Sequence, residues 1–392
     1  MNNIFGNGEE IFDIDEVSGG TAYQFDSHYS FKPWHKPRKQ FVRDKQWWFH
    51  LSFLLSRFPI YNDIRTIKYF GLPGEDLLDI SYFSKKLSQD LALKNKEIQV
   101  HGFIDNETGK QNADIRMSEL LDRNNISKMS AVEKFNFHAL AKEQSLALRK
   151  VKSNGAYHLI NLDFCDAVFK QETIDSMMEL LGIQFDNMLD TPWLFFLTTR
   201  ADRSGISEEL LSNLDRIFTE SISSDGDFVA ALEEYRERIF ELARDKRSFS
   251  EEMLSESDLS EVLQACFIYW LIKLTHQHES RMESVSIMKY KVHGGNDFPD
   301  MFSYVFRFTK KSLAKKDSLG LAKSTSGAKS SINEVDKISD KKSAVEKLST
   351  SLDIDAHLLQ HSEIYNFYAN EMKELLNEIG VDTSRYDESS IS

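Results

Sequence analysis

The twelve residues from Tyr157 to Val168, Tyr-His-Leu-Ile-Asn-Leu-Asp-Phe-Cys-Asp-Ala-Val, constrain the fold more than any other stretch. A short apolar run between turn signals is the mark of a strand buried on both faces of a sheet. Gly155 precedes it, and helical spacing from Thr173 to Leu181 follows. In an open α/β sheet, ligands sit beyond the carboxyl ends of the strands. With the strand ending at Asp163, Asp163 and Asp166 stand at that edge.

Other stretches repeat the alternation. Leu77 to Tyr82 reads as a short strand, with a helix over Leu87 to Leu93 after it. Ile98 to Ile104 reads as a second strand, leaving at Asp105 and Asn106. A third, edge strand falls nearest to Asn112–Ile115, and residues 115–150 are mostly helical in pattern. Pro192 to Arg200 is another strand with a polar exit at Thr198, Thr199 and Arg200. Helical spacing follows near 207–221, 227–245 and 257–275. Val285–Val292 and Phe302–Phe308 alternate and are joined by His293-Gly-Gly-Asn-Asp297, the pattern of a late antiparallel hairpin.

Four segments are expected. Residues 1–30 form a flexible acidic arm, since residues 1–26 hold six carboxylates and no Lys or Arg. Residues 31–310 form a Rossmann-like α/β core. Residues 311–345, rich in Ser, Lys, Ala and Gly, form a mobile linker. Residues 346–392 form a helical tail, either docked or free to bind a partner.

Charge reverses after the arm. Lys32, Lys36, Arg38, Lys39, Arg43 and Lys45 face only Asp44, and a helix starting near Arg38 places Trp47, Leu51, Leu54, Leu55 and Phe58 on one face. Two readings stand. Lys36, Arg38, Lys39 and Arg43 contact nucleic acid or phosphate, with Trp and His stacking on bases. Alternatively, the aromatics pack on the sheet and the basic heads stay solvated. In the first reading the acidic arm folds back and competes with the anionic partner.

The formal net charge of −14 rules out a general polyanion binder, so any nucleic-acid contact must be local. Two cysteines, Cys165 and Cys266, cannot build a disulfide framework or a zinc knuckle, which fits a reducing cytoplasm. Residues 1–20 lack a signal-peptide pattern, and no run approaches the roughly eighteen apolar residues of a membrane span. The chain is expected to be soluble and cytoplasmic. Metal spacings, a Walker loop and a Ser-His-Asp signature are missing, so no metal is expected.

Alternating strands and helices with a late hairpin resemble the class I methyltransferase form of the Rossmann fold. The resemblance implies S-adenosylmethionine as cofactor. Leu77-Leu-Asp-Ile-Ser-Tyr-Phe83 is similar to the start of that family's first motif through Asp79. Ser81 and Phe83 then stand where small loop residues are expected, and bulk there closes the adenosyl site. By the same resemblance Asp105 takes the ribose position, Asp114 the adenine side and Asp163 the end of strand four. A second resemblance rests on Pro33-Trp-His-Lys-Pro-Arg-Lys-Gln40, Gly71-Leu-Pro-Gly-Glu-Asp-Leu-Leu-Asp79, Ile160-Asn-Leu-Asp-Phe-Cys-Asp166 and Pro192-Trp-Leu-Phe-Phe-Leu-Thr-Thr-Arg200. These blocks resemble an uncharacterised bacterial three-Cys-motif partner-like family of mobile and defence loci. That resemblance implies a protein partner within a multi-protein nucleic-acid or antiphage system.

Asp163 and Asp166 therefore have a catalytic reading, as metal holders or general base, and a structural one, as helix cap and loop partner. Arg200 binds phosphate or pairs with Asp166 or Asp202. Two functions follow. One is a non-catalytic, degenerate methyltransferase-like subunit, which the absent loop glycines favour. The other is an active methyltransferase on nucleic acid or a small molecule, which the acidic strand ends favour.

Overall fold

The computed structural model describes residues 31–188, 190–244, 254–292, 298–310 and 334–386. Among these, eight strands make one sheet: β1 (Thr66–Gly71), β2 (Glu97–Ile104), β3 (Ala131–Lys134), β4 (Leu159–Ala167), β5 (Trp193–Arg200), β6 (Ser280–Tyr290), β7 (Met301–Lys310) and β8 (Leu352–Asp353). Their order in space is β3-β2-β1-β4-β5-β7-β6-β8. Strands β1 to β5 are parallel, β7 runs antiparallel to β5 and β6, and β8 is parallel to β6. This is the class I methyltransferase-like Rossmann fold, with the expected late hairpin. The strand order reverses between β1 and β4, so the ligand crevice of such a sheet opens beyond their carboxyl ends.

Helices cover both faces. Helix α1 (Pro37–Phe41) runs through a π-helical stretch, Val42–Trp48, into α2 (Phe49–Arg57). Then come α3 (Leu78–Gln89), α4 (Glu107–Leu121), α5 (Leu146–Asn154), α6 (Gln171–Asn187), α7 (Glu208–Ile217), α8 (Gly226–Tyr235), α9 (Glu237–Arg244) and α10 (Glu256–Gln277). The chain closes with α11 (Glu334–Ser349), α12 (Ile354–Gln360) and α13 (Ser362–Glu378). Helices α5 to α11 pack one face of the sheet, and α1 to α4 with α12 and α13 pack the other. Strand side chains alternate between the two layers. In β5, Trp193, Phe195 and Leu197 enter the first layer while Leu194 and Phe196 enter the second. A fully buried side chain of this kind contributes about 1.5–3 kcal/mol, so both layers are needed to hold such a sheet.

Several sequence expectations change. Leu78–Tyr82 is helix, not strand, with Leu77 as its cap: Ile80, Phe83 and Leu87 repeat at helical spacing, and short apolar runs do not separate the two states. The preceding strand is β1, which moves the first strand's exit to Gly71 and its loop to residues 72–77. The edge strand is β3, and Asn112–Ile115 lies inside α4. Strand β4 passes Asp163 and ends at Ala167 after a register shift between the two. Helix α11 occupies 334–349, starting inside the 311–345 segment expected to be linker and ending in the expected tail. The acidic arm, the 293–297 turn and residues 311–333 lie outside the described residues.

The C-terminal helix is docked. Tyr368, Met372, Leu375 and Leu376 of α13 are buried against the second layer. Its hydrogen-bonding anchor is Asp44, which accepts from Tyr82 (2.6 Å) and Tyr368 (2.8 Å). Among the described residues no helix is long and apolar enough to cross a membrane.

Candidate functional site

Gly71 sits where β1 and β4 approach closely. A Cβ there would lie 2.5 Å from the Tyr69 hydroxyl and 2.7 Å from the Asn161 carbonyl, so the position requires glycine. The loop that follows carries two left-handed residues, Gly74 (φ 69°) and the non-glycine Leu77 (φ 48°). Leu77 caps α3 without a side-chain hydrogen bond. Strained, glycine-bearing turns between a first strand and its helix cluster at ligand sites.

A cavity of about 580 Å³ opens at this switch point, a size typical of small-molecule sites. The β1 exit contributes Leu72, Pro73, Gly74, Asp76 and Asp79, and the β2 exit Phe103, Asp105 and Asn106. The β3 exit contributes Phe135, Asn136 and Phe137, and β4 contributes Asp163, Phe164 and Asp166. Trp34 and Arg43 close it from the amino-terminal side. Six carboxylates line the space (Glu75, Asp76, Asp79, Asp105, Asp163 and Asp166) against the fixed cations Arg43 and Lys170.

Two ion pairs form its floor. Arg43 Nε donates to Asp79 Oδ1 at 2.6 Å, and Lys39 Nζ donates to Asp163 Oδ1 at 2.6 Å. Burial lifts the Asp79 carboxyl above the ordinary carboxylate range, against the pull of the Arg43 guanidinium. Burial alone would lower the Lys39 pKa, but Asp163, Tyr290 and Asp79 together outweigh it and hold the ammonium above its usual value. At the rim, Asp166 pairs with Lys170 and caps the Ala167 amide at 2.7 Å. Burial acts to raise the Asp166 pKa, and these bonds overcome it and hold the carboxyl low. Among the described residues no three His, Cys, Asp or Glu side chains are grouped to hold a metal.

The sequence-derived site residues divide sharply. Asp79, Asp105, Asp163, Asp166 and Arg43 all line the cavity. Ser81 does not: it is buried within α3, so neither it nor Phe83 is a loop residue that obstructs a cofactor. Asp114 lies on the exposed side of α4, paired with Lys110 away from the cavity. Nor is the basic segment an open stripe. Lys39 and Arg43 are buried and paired, while Arg38 donates to the Lys291 carbonyl and pairs with Asp355 at 3.4 Å. Lys45 is exposed, and Lys32 and Lys36 are half-buried. Arg200 pairs with Asp202 at 2.6 Å, and Thr199 Oγ1 accepts from the Val168 amide, which makes this exit a structural tie.

The sequence places a turn at Gly71, Pro73 and Gly74, but not the strand β1 that feeds it, nor the aromatic wall at the β3 exit. The signal for β1 was present: Thr66-Ile-Lys-Tyr-Phe70 is rich in β-formers and runs into the Gly71–Gly74 turn. The wall had no signal of its own, because β3 is only four residues long.

Comparisons with known proteins accompany this geometry. No curated protein matches the chain. Solved structures that match include a protein assigned as a caffeoyl-CoA O-methyltransferase from Staphylococcus aureus, at 11% identity and TM-score 0.29, covering 66% of this chain and 81% of that one. A protein assigned as a class I S-adenosylmethionine-dependent methyltransferase from Listeria monocytogenes matches at 7% identity and TM-score 0.35, covering 74% and 66%. An S-adenosylmethionine-dependent methyltransferase from Methanosarcina mazei matches at 8% identity and TM-score 0.29, covering 65% and 99%. At these values the likenesses carry no argument, and the fold is read from strand order and polarity. The family model described as PP_RS20740-like matches residues 28–391, and the chain belongs to the PP_RS20740-like family.

Proposed function

We propose that the chain is a methyltransferase-like protein that binds S-adenosylmethionine in the switch-point cavity. One observation carries the reading: an acid-lined cavity of about 580 Å³ lies at the exits of β1, β2, β3 and β4. The donor set fits the group. Excess carboxylates attract a cation, and S-adenosylmethionine carries a sulfonium and an ammonium against one carboxylate. Asp105 at the β2 exit would accept from the ribose hydroxyls, and Phe135 and Phe137 would border the base. Arg43 would face the carboxylate, with Asp76 toward the ammonium. Bound there, the cofactor would supply an electrophilic methyl group.

The chain's own residues set the acceptor side. The Lys39 ammonium donates to Asp163 Oδ1 at 2.6 Å and fixes that carboxylate at the cavity floor. Held there, Asp163 would orient an acceptor's N–H or O–H by accepting its hydrogen bond. Calorimetry with S-adenosylmethionine tests the reading. Micromolar binding, worth about 8 kcal/mol, is expected in the full chain and is lost in Asp105→Ala. No heat at any accessible concentration would remove the cofactor from the account.

The same Lys39–Asp163 pair supports a second reading, a non-catalytic subunit of a bacterial multi-protein nucleic-acid or antiphage system. The sequence resemblance to the three-Cys-motif partner-like family of defence loci also supports it. In that reading cofactor binds but no acceptor is methylated, and co-purification of the full chain with its neighbours in the locus yields a stable protein complex. Nucleic-acid contact through residues 32–45 is disfavoured by the burial of Lys39 and Arg43.

A further inference from the structure

The segment Lys32–Lys36 brings Trp34 into the wall of the cavity and is held through Trp34 and His35 to two separate parts of the chain. On one side, Trp34 Nε1 donates to Asp76 Oδ2 at 3.2 Å. The Lys32 amide donates to His35 Nδ1 at 3.1 Å, which leaves Nε2 as the protonated nitrogen. That nitrogen meets the same Asp76 oxygen at 3.1 Å. Asp76 lies between Gly74 and Leu77, the two left-handed residues of the cavity loop. On the other side, the Tyr386 hydroxyl donates to the His35 carbonyl at 2.5 Å, and its ring meets Phe31 edge-on at 5.1 Å. Arg43 Nη1 also holds the Trp34 carbonyl at 3.2 Å.

We infer that Lys32–Lys36 is a strap that gates the cavity, and that Tyr386 in the C-terminal segment is the clasp that keeps it closed. The inference rests on the cofactor reading for what passes the gate, not for the clasp itself. Trp34 is a wall of the cavity, so lifting the strap removes a wall and frees the Asp76 loop together. The clasp sits about 350 residues away in sequence from the strap, which links the docking of the C-terminal segment to access at the site. A strained loop held by tertiary bonds is the kind of element that moves when those bonds are released.

Tyr386→Phe keeps the ring and deletes one donor. Hydrogen exchange of amides in 32–36 and 72–77 should rise by about fivefold, the worth of one hydrogen bond. Ser384→Ala, which deletes an exposed C-terminal hydroxyl bond to Asp382 without touching the strap or the docking of α13, should leave those amides unchanged. Dissociation of S-adenosylmethionine, followed by stopped-flow fluorescence, should speed by a similar factor in Tyr386→Phe. Equal exchange in Tyr386→Phe and wild type, or equal acceleration in both variants, overturns the clasp. Faster exchange with unchanged dissociation overturns the gate. If wild type binds no S-adenosylmethionine, the cofactor reading fails, and the exchange arm still decides the clasp.

Discussion

Replacing Arg43 by methionine should be among the most damaging single changes in the chain. The guanidinium is 2% exposed, and its partner Asp79 has a side chain 4% exposed. Methionine fills the aliphatic stem, so little cavity opens, and the cost comes from charge. Asp79 is left with the Asn161 amide at 3.4 Å and the more distant Lys39 ammonium, itself paired with Asp163. Breaking a buried pair from one side costs about 3–5 kcal/mol. Burial already raises the Asp79 carboxyl, and Arg43 is the strongest force opposing it, so the variant's carboxyl rises further. A carboxyl raised in the fold prefers its neutral form there. The variant therefore loses stability as pH climbs from the unfolded value of about 3.9, and the loss levels off above the folded value. Urea unfolding followed by tryptophan fluorescence should show a larger penalty at pH 8 than at pH 5. Arg43→Met/Asp79→Asn, which removes the charge altogether, should recover at least half of it. A penalty below about 1 kcal/mol at pH 8, against the range for broken buried pairs, would refute the reasoning. So would a double variant no more stable than the single.

Three further outcomes follow from the packing. Gly71→Ala drives a methyl against the Tyr69 hydroxyl and the Asn161 carbonyl, and urea unfolding should show a loss of about 1–3 kcal/mol; an unchanged midpoint means that β1 and β4 are not so close. His158, whose Nδ1 accepts from the Lys68 amide at 2.9 Å, is pushed down to about 4 by burial and by Lys68. A depressed histidine stabilises the fold above its unfolded value of about 6.5 and loses that contribution as pH falls toward 4, about 3 kcal/mol in all; an NMR titration of His158 centred near 6.5 would contradict this. Tyr368→Phe deletes a bond to the Asp44 carboxylate, and a loss of about 1.5–3 kcal/mol is expected for a charge-assisted bond, with α13 becoming the first site of limited proteolysis; proteolysis unchanged from wild type would count against the docked helix.

Much of this architecture was legible in the sequence because it depends on local signals. The Tyr157–Val168 run had to be an inner strand, and Val285–Val292 with Phe302–Phe308 had to pair, since period two leaves no other regular choice. Leu77–Tyr82 misled because α3 is enclosed by the sheet, the α1–α2 helix and α13, so nearly every side is apolar and the helical period is blurred. That one error displaced the first strand by a whole element and made Ser81 and Phe83 look like loop residues. Asp105 stood out because the β2 exit is marked by an abrupt polar residue, and Asp163 because a carboxylate breaks the apolar run of β4, although that strand continues to Ala167. The inward turn of Lys39 and Arg43 was not, since it depends on Asp163 and Asp79, which lie 124 and 36 residues away. Helix α11 begins at Glu334, where Ser and Lys content suggested linker, and its burial is supplied by α8, α10 and β6.

The most direct test of the central claim is photo-cross-linking of the full chain with radiolabelled S-adenosylmethionine, followed by peptide mapping. The account predicts saturable labelling, competed by unlabelled cofactor, on peptides that contain residues 103–106 or 135–138. Labelling that does not saturate, or that maps outside the β1–β4 exits, would contradict it.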